Sequence, residues 1–200
     1  MKSNVPNRIF AIDASTNSIA LAIFVEGKLH TIGKFNFEGK DIYAKVQDAH
    51  RKVHAFLRHY LDWNQLDNDH PIDAMVIEHT VFMNSPKTAA DLALVQGAII
   101  AAFGNWGIEL VGKVSPITWQ NFIGNKKLTK DEKFLLRKQN PGKSEAWYKG
   151  YERGIRKQRT IKFININYDK NIDDDDVADA CGIGHWALYN WNKATGLDKE

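Results

Sequence analysis

Four acidic residues stand where a folded chain could gather them around a divalent cation. Asp13 and Glu78 each end a short apolar segment. Asp176 and Asp179 are three residues apart in a later segment. Two carboxylates about 4 Å apart repel each other by roughly 4 kcal/mol at an effective dielectric constant of 20, so a cluster of them needs a cation or protonation. All-oxygen ligand sets select hard cations, which makes Mg²⁺ or Mn²⁺ the expected metal.

The elements that carry these acids would bring them together. The apolar segments over 8–13 and 73–78 are typical of buried strands, and ligands in open α/β sheets bind at the carboxyl ends of strands. A helix is predicted over 174–192, where a spacing of three places Asp176 and Asp179 on one face. Apolar residues continue that face, so it packs on the sheet. Charged groups on such a face are costly unless they are paired or bound to metal.

Each acid also has a simpler explanation when it is taken alone. Asp13 could form a turn before Ala-Ser-Thr-Asn, and Glu78 could be an exposed residue at a strand end. The aspartate run over 173–176 could only cap a helix. The occurrence of all four acids in this order on these elements favours a shared site.

The hydrophobic pattern predicts an α/β chain over residues 1–200, a single domain with a basic insertion at about 125–150. The predicted strands are 8–13, 18–26, 29–37, 73–78 and 108–114. The predicted helices are 40–62, 86–103, 116–123, 151–165 and 174–192, and 125–150 is expected to be a loop or an insertion with one short helix. The first three strands would form antiparallel hairpins, and the last two would run parallel to the first because helical crossovers lead to them. We therefore expect a mixed five-stranded sheet flanked by helices.

Basic residues are concentrated in one part of the chain. Between Lys126 and Lys162 there are 13 basic and 4 acidic residues, whereas the rest of the chain has 14 basic and 20 acidic ones. Such an excess predicts a polyanion-binding element, and a solvated helical surface is the alternative. The interleaved Trp147, Tyr148 and Tyr151 favour nucleic acid, because aromatic rings stack on bases. The candidate phosphate-binding residues are Lys126, Lys127, Lys130, Lys133, Arg153, Arg156, Lys157 and Arg159.

Composition excludes several classes of protein. The chain has 200 residues, a hydrophobic fraction of 44% and a charged fraction of 26%, which are values of a globular protein. No apolar run reaches the roughly 18–20 residues of a membrane span, and no signal sequence is recognised at the N-terminus. Cys181 is the single cysteine, which excludes a disulfide framework and a zinc site built on several thiolates. A cytoplasmic location without membrane partners is the expectation.

Three segments carry a resemblance to a known family. AIDASTNSIALAIF, VIEHTVFMNSPKTAADLALVQGAIIAA and DVADACGIGHWA resemble the RuvC family of Holliday-junction resolvases, which have the RNase H-like fold. The resemblance implies that Asp13, Glu78, Asp176 and Asp179 are catalytic and hold two Mg²⁺ ions, for which Mn²⁺ would substitute. Asp173 also forms an Asp-x-x-Asp pair with Asp176, so a shift of one helical turn stays open.

The resemblance also implies an activity and partners. The expected activity is symmetric nicking of four-way DNA junctions by a homodimer, leaving 5′-phosphate and 3′-hydroxyl ends. Phe82 would stack on a base at the branch point, although it lies one residue further from Glu78 than in the family pattern. The stretch over 125–151 is longer than in compact cellular members and is similar to that of the divergent viral resolvases.

Three other functions are alternatives to junction cleavage. The segment Asp13-Ala-Ser-Thr-Asn-Ser resembles the phosphate loop of actin-like ATPases, but 200 residues cannot hold the second domain that this fold needs, so no nucleotide cofactor is expected. A ribonuclease H acting on RNA–DNA hybrids would use the same carboxylates. A branched-DNA binder without catalytic activity is the third alternative.

Overall fold

A central strand that is buried on both faces organises the sheet. The computed structural model describes residues 5–63, 73–79 and 85–196. The strands are β1 (Arg8–Ala14), β2 (Ser18–Val25), β3 (Lys28–Asn36), β4 (Asp73–Glu78) and β5 (Leu110–Val114). Their order in the sheet is β3-β2-β1-β4-β5. β1 pairs antiparallel with β2 and parallel with β4, β2 pairs antiparallel with β3, and β4 pairs parallel with β5. The predicted mixed five-stranded sheet is confirmed.

Six helices are present in the described residues. They are α1 (Ile42–Trp63), α2 (Pro86–Gly104), α3 (Pro116–Phe122), α4 (Lys130–Gln139), α5 (Glu145–Tyr168) and α6 (Asp175–Thr195). The capping signals are local: the Ser85, Ser115 and Ser144 side chains each accept a backbone N–H at the start of a helix. These caps satisfy backbone donors that would otherwise lack partners.

The side chains of β1 alternate between two hydrophobic layers. Ile9 and Ala11 face the layer that contains α6, and Phe10 and Ile12 face the layer that contains α1 and α2. Because successive strand residues point to opposite faces, a strand with helices on both sides must be apolar throughout. Ile9, Phe10, Ala11 and Ile12 meet that requirement, between Arg8 at the start of the strand and Asp13 near its end.

Two glycines allow α6 to lie directly on its neighbours. A Cβ built on Gly184 would stand 2.9 Å from the Cβ of Ala11, and one on Gly182 would stand 2.6 Å from the ring of Trp119. Both distances are shorter than real Cβ contacts, so the sheet and α3 require glycine here. This close packing fixes the position of the acids one turn earlier on α6.

The basic stretch is more helical than predicted. α4 begins with a capping box, in which Thr129 and Glu132 bond each other's backbone N–H groups. α5 begins at Glu145, where the sequence predicted a helix only from 151, and it ends at Asp169 in the left-handed region at φ 49°. Glycine disfavours a helix interior, but α5 begins at the Ser144 cap and continues through Gly150.

α2 combines an apolar composition with a core position. It is the one described helix that is long and apolar enough to cross a membrane by length and composition alone. Its Val95, Ile99 and Phe103 side chains are buried between α1 and the sheet. About 28% of the apolar part of α2 is buried, and a single helix of this length and composition is weak evidence for a membrane segment.

Candidate active site

Two neighbouring parallel strands place the first two acids side by side. Ile12 of β1 pairs with Ile77 of β4, so Asp13 and Glu78, each one residue further along, lie at the same carboxyl edge of the sheet. Both strands run in the same direction because the chain reaches β4 through α1. The sequence prediction that Asp13 and Glu78 meet at this edge is therefore matched by the structure.

The first turn of α6 brings the other two acids to this edge. The Asp174 side chain caps the helix by accepting the Val177 N–H at 3.0 Å. The charges of Asp176 and Asp179 act on Asp13, which places both within electrostatic reach of the strand acids. Asp173 is exposed ahead of the cap. The pair at 176 and 179, rather than 173 and 176, thus belongs to the site.

Burial and neighbouring negative charges favour the protonated form of Asp13 and Asp179, and burial favours that of Glu78. Burial raises the pKa of Asp13 well above its usual value, and the charges of Glu78, Asp179 and Asp176 raise it further. Burial, followed by the charges of Glu78 and Asp176, raises the pKa of Asp179 to about 7. Burial also raises the pKa of Glu78. The site lacks enough positive charge to balance its acids.

Two side chains that no sequence motif indicated hold Glu78 in position. The indole Nε1 of Trp119 donates to Glu78 Oε2 at 2.7 Å, and this bond opposes the rise in the pKa of the carboxyl group. Gln96 Nε2 donates to the main-chain oxygen of Glu78 at 2.9 Å. Trp119 is fully buried, so its hydrogen bond fixes the orientation of the carboxylate.

A lysine that sequence reasoning missed also reaches the acids. Lys34 Nζ lies 2.8 Å from Asp174 and 2.7 Å from Asp176. The register of three neighbouring strands explains the position of Lys34. Asp13 of β1 pairs with Ala20 of β2, and Ala20 pairs with Lys34 of β3. The strand register could have identified it, but β3 alternates polar and apolar residues like any edge strand. Its hydrogen bonds to the two aspartates raise the pKa of Lys34.

The donor set of the site fits a hard divalent cation. Among the residues that the structure describes, no three His, Cys, Asp or Glu side chains are arranged so that they could hold a metal ion as they stand. The four acids of the site can supply only oxygen ligands. The negative charges of three of them act on Asp13, the fourth, and one ammonium group, that of Lys34, pairs with Asp176. Mg²⁺ and Mn²⁺ prefer oxygen ligands.

A basic cleft lies directly beside the acids. Arg153, Arg156 and Lys157 of α5 line a cleft of about 250 Å³ that Asp179 also lines. Arg156 donates to Gln120, and Lys157 is paired with Asp175. Arg156 and Lys157 lie three and four residues after Arg153, so the three cations share a helical face. The structure thus brings this part of the predicted phosphate-binding set to the acidic site.

A second cleft extends the basic surface. It measures about 600 Å³, and its lining includes Lys126, Lys127 and Arg156. Gln120 and Arg156 line both clefts, so the two clefts are neighbours. A polyanion that occupies the second cleft would therefore be led toward the acids.

The remaining predicted binding residues lie elsewhere. Lys133 pairs with Glu152 at 2.8 Å, and Arg159 pairs with Glu132 at 2.9 Å. Lys130 is exposed at the start of α4. These three line neither cleft. Phe82 lies outside the described residues.

Comparison with solved structures shows the fold. The structure of T. thermophilus RuvC in complex with Holliday junction substrate matches with a TM-score of 0.61 and 13% identity, over 94% of this chain and 98% of that one. Thermus thermophilus RuvC alone matches with a TM-score of 0.60 and 14% identity, over 94% and 97%. The yeast mitochondrial Holliday junction resolvase Ydc2 gives a TM-score of 0.48 and 11% identity, over 94% and 80%.

Sequence comparison gives no such match. No family model and no curated protein matches the chain. The similarity therefore lies in the backbone and in the order of its elements. The resemblance noted in the sequence is confirmed at that level: the chain has the RNase H-like fold of RuvC.

Proposed function

We propose that this chain is a divalent-metal-dependent endonuclease that resolves four-way DNA junctions by symmetric nicking. The observation that carries the proposal is the gathering of Asp13, Glu78, Asp176 and Asp179 from three elements at one edge of the sheet, beside a basic cleft. The fold supports the choice of substrate, since a RuvC of the same fold is bound to a Holliday junction substrate.

The four carboxylates would hold two Mg²⁺ ions, or Mn²⁺ in their place. Such ions, when bound, activate the attacking water and stabilise the leaving 3′ oxygen, so the products carry 5′-phosphate and 3′-hydroxyl ends. The chain supplies the ligands in fixed positions. Few positive charges balance the negative charges around Asp13, and Trp119 orients Glu78. Lys34 would release Asp176 when that carboxylate binds a cation.

The basic cleft would position the scissile strand. Arg153 and Arg156 can hold phosphate oxygens close to Asp179, because all three line the same cleft. Arginine is suited to this role, since its planar guanidinium group binds phosphate through two parallel hydrogen bonds. Lys126 and Lys127 would contact the backbone further along the strand.

Paired nicks require two sites related by a two-fold axis, so we propose a homodimer. The small residues Ala93, Gly97 and Ala101 of α2 are exposed, and Leu94 beside them is 45% exposed. Because these three residues are exposed, they do not pack on the protein's own sheet. Sedimentation should show a dimer, and Gly97→Glu should convert it to a monomer. A monomer at micromolar concentration with and without junction DNA would contradict the dimer.

A substrate panel tests the proposed activity. A four-way junction, a linear duplex of the same sequence and an RNA–DNA hybrid are each incubated with the protein and Mg²⁺, and the product ends are identified. We expect paired nicks in the junction alone. Preferential cleavage of the hybrid would replace the proposal with a ribonuclease H activity. Junction binding without cleavage would indicate a non-catalytic binder.

A further inference from the structure

A groove along α5 lies away from the acidic cleft. It measures about 760 Å³, and its lining includes Trp147, Tyr151, Gly154 and Lys162. Residues on a helix are separated by about 100° of rotation, so these positions fall on nearly the opposite side of α5 from the residues of the acidic cleft. The nuclease site does not use this face.

Two aromatic rings of the groove stack on each other, so a ligand can reach only the outer faces of this pair. The rings of Trp147 and Tyr151 are stacked, with centroids 5.1 Å apart and planes inclined by 19°. Tyr151 is 46% exposed. The neighbouring Tyr148 is buried and bonds the Asn140 carbonyl, which anchors this turn of the helix. The pair is thus held rigid while one of its rings faces solvent.

Two glycines leave the groove floor open. A Cβ added to Gly150 or Gly154 would meet no atom of the described residues within 4 Å. Each glycine inside a helix costs about 1 kcal/mol relative to alanine, and neither is needed for packing within this part of the chain. Glycine is favoured where a ligand approaches the backbone closely. The pair beside the aromatic rings therefore points to a ligand that occupies the groove.

The charges at the groove match a polyanion. Lys143 Nζ lies 5.6 Å from the centre of the Trp147 ring, and Arg159 and Lys162 line the groove further along the helix. Arg159 is partly neutralised by Glu132. No acidic side chain is among the lining residues that the structure describes. The groove thus combines an apolar floor with cationic edges.

We propose that this groove binds an unpaired DNA strand, whose bases stack on Tyr151 and Trp147 and whose phosphates contact Lys143 and Lys162. Duplex DNA hides its base faces, so it cannot use the aromatic surface, whereas every unpaired base can. The biological use of the groove rests on the proposed function, because a strand that becomes unpaired near the branch point would expose its bases to the groove. The groove would then hold a segment other than the scissile strand.

The test measures binding without cleavage. The affinity for a labelled oligothymidylate of about 20 nucleotides is determined by fluorescence anisotropy in EDTA, with a blunt duplex as the comparison ligand. Tyr151→Ala should weaken oligothymidylate binding about tenfold and leave duplex binding nearly unchanged, as expected for the loss of one stacking contact. Tyr43→Ala is the matched control, since Tyr43 is an exposed tyrosine on α1. It should bind like the wild type.

A glycine variant separates binding from folding. Gly154→Gln fills the groove with a residue of higher helix propensity, so it should raise the melting temperature while it weakens oligothymidylate binding at least as much as Tyr151→Ala. Equal binding by wild type and both variants would overturn the proposal. So would an equal loss of single-strand and duplex binding, which indicates general electrostatic attraction. Unchanged binding with an altered sedimentation coefficient would identify a protein contact in its place.

The groove and the nuclease proposal can fail separately. If the junction is not cleaved but oligothymidylate binding depends on Tyr151 and Gly154, the nuclease proposal is wrong and the groove stands. If junctions are cleaved and neither variant affects single-strand binding, only the groove proposal is wrong.

Discussion

The acidic centre and the basic segment over 126–162 hold opposite charges in different environments. The acids are partly buried, with the Asp176 side chain 39% exposed, and burial is the main cause of the raised pKa values of Asp13 and Asp179. The basic residues are mostly exposed, and several are tied to acids of the same segment. Those pairs are Lys133–Glu152, Arg137–Glu145 and Arg159–Glu132.

This difference shows which kind of charge indicates function. A buried and uncompensated charge is costly, so its presence needs an explanation such as a bound cation. An exposed excess of basic residues costs little free energy, because water solvates the charges. Some of these residues only form ion pairs between helices, and each exposed pair contributes about 0–1 kcal/mol. The 13 basic residues of the segment therefore overstate the number that would contact phosphate.

Removal of one buried acid should give the largest effect. We expect Asp179→Asn to lower junction cleavage by on the order of a thousandfold or more, because a lost metal ligand removes several kcal/mol of transition-state stabilisation. Junction affinity, measured by gel shift, should stay near the wild-type value. Asp173→Asn is the control, since Asp173 is exposed ahead of α6. Loss of cleavage by Asp173→Asn with normal cleavage by Asp179→Asn would mean that Asp173 and Asp176 form the catalytic pair, one helical turn earlier.

The aromatic residue at position 82 should give the next largest effect. Phe82→Ala is expected to slow junction cleavage about tenfold to a hundredfold, since a stacking contact contributes roughly 1–3 kcal/mol per base. Its melting temperature should match that of the wild type. Phe134→Ala, at an exposed phenylalanine of α4, serves as control. A large fall in melting temperature with unchanged cleavage per folded molecule would show that Phe82 is a core residue.

The basic residues should separate into two groups by their pairing. If about six of them contact phosphates, the logarithm of junction affinity should fall with the logarithm of salt concentration with a slope of about −5. Lys127→Gln should reduce that slope by about one, because Lys127 lines the second cleft. Lys133→Gln, which breaks the pair with Glu152, should leave it unchanged. A smaller slope for Lys133→Gln with an unchanged slope for Lys127→Gln would mean that the ion pairs open on DNA binding.

The pH dependence of stability gives a smaller effect that reports on the acidic centre alone. An unfolded aspartate titrates near 3.9, whereas the pKa of Asp179 in the folded chain is about 7. Between these values the folded state binds more protons, so the free energy of unfolding falls as the pH rises. We expect the melting temperature in EDTA to fall more steeply over this range for the wild type than for Asp179→Asn. Equal slopes in calorimetry would contradict the assigned shift.

The sequence predicted the acidic centre well because its geometry follows from local rules. Asp13 and Glu78 end apolar strands that a helical crossover makes parallel, and the Asp176–Asp179 spacing selects one helical face. Those rules need no knowledge of distant contacts. The glycines of α6 then fix the distance between the helix and the sheet.

The parts that the sequence did not predict depend on tertiary contacts. Trp119 reaches Glu78 only because α3 packs under α6, and Lys34 reaches Asp176 only through the register of three strands. The early start of α5 was not predicted, because Gly150 is a poor helix former and the Ser144 cap becomes evident only in the folded chain. Long-range packing therefore adds the residues that orient and balance the acids.

Junction cleavage by the wild type and Asp13→Asn tests the central claim most directly. Both proteins are incubated with one four-way junction, with Mg²⁺ and with EDTA, while binding is followed in the same samples. The account predicts paired nicks only for the wild type with Mg²⁺, and equal or tighter binding by Asp13→Asn, because one carboxylate less repels the phosphates. Cleavage by Asp13→Asn at the wild-type rate, or in EDTA, would contradict it.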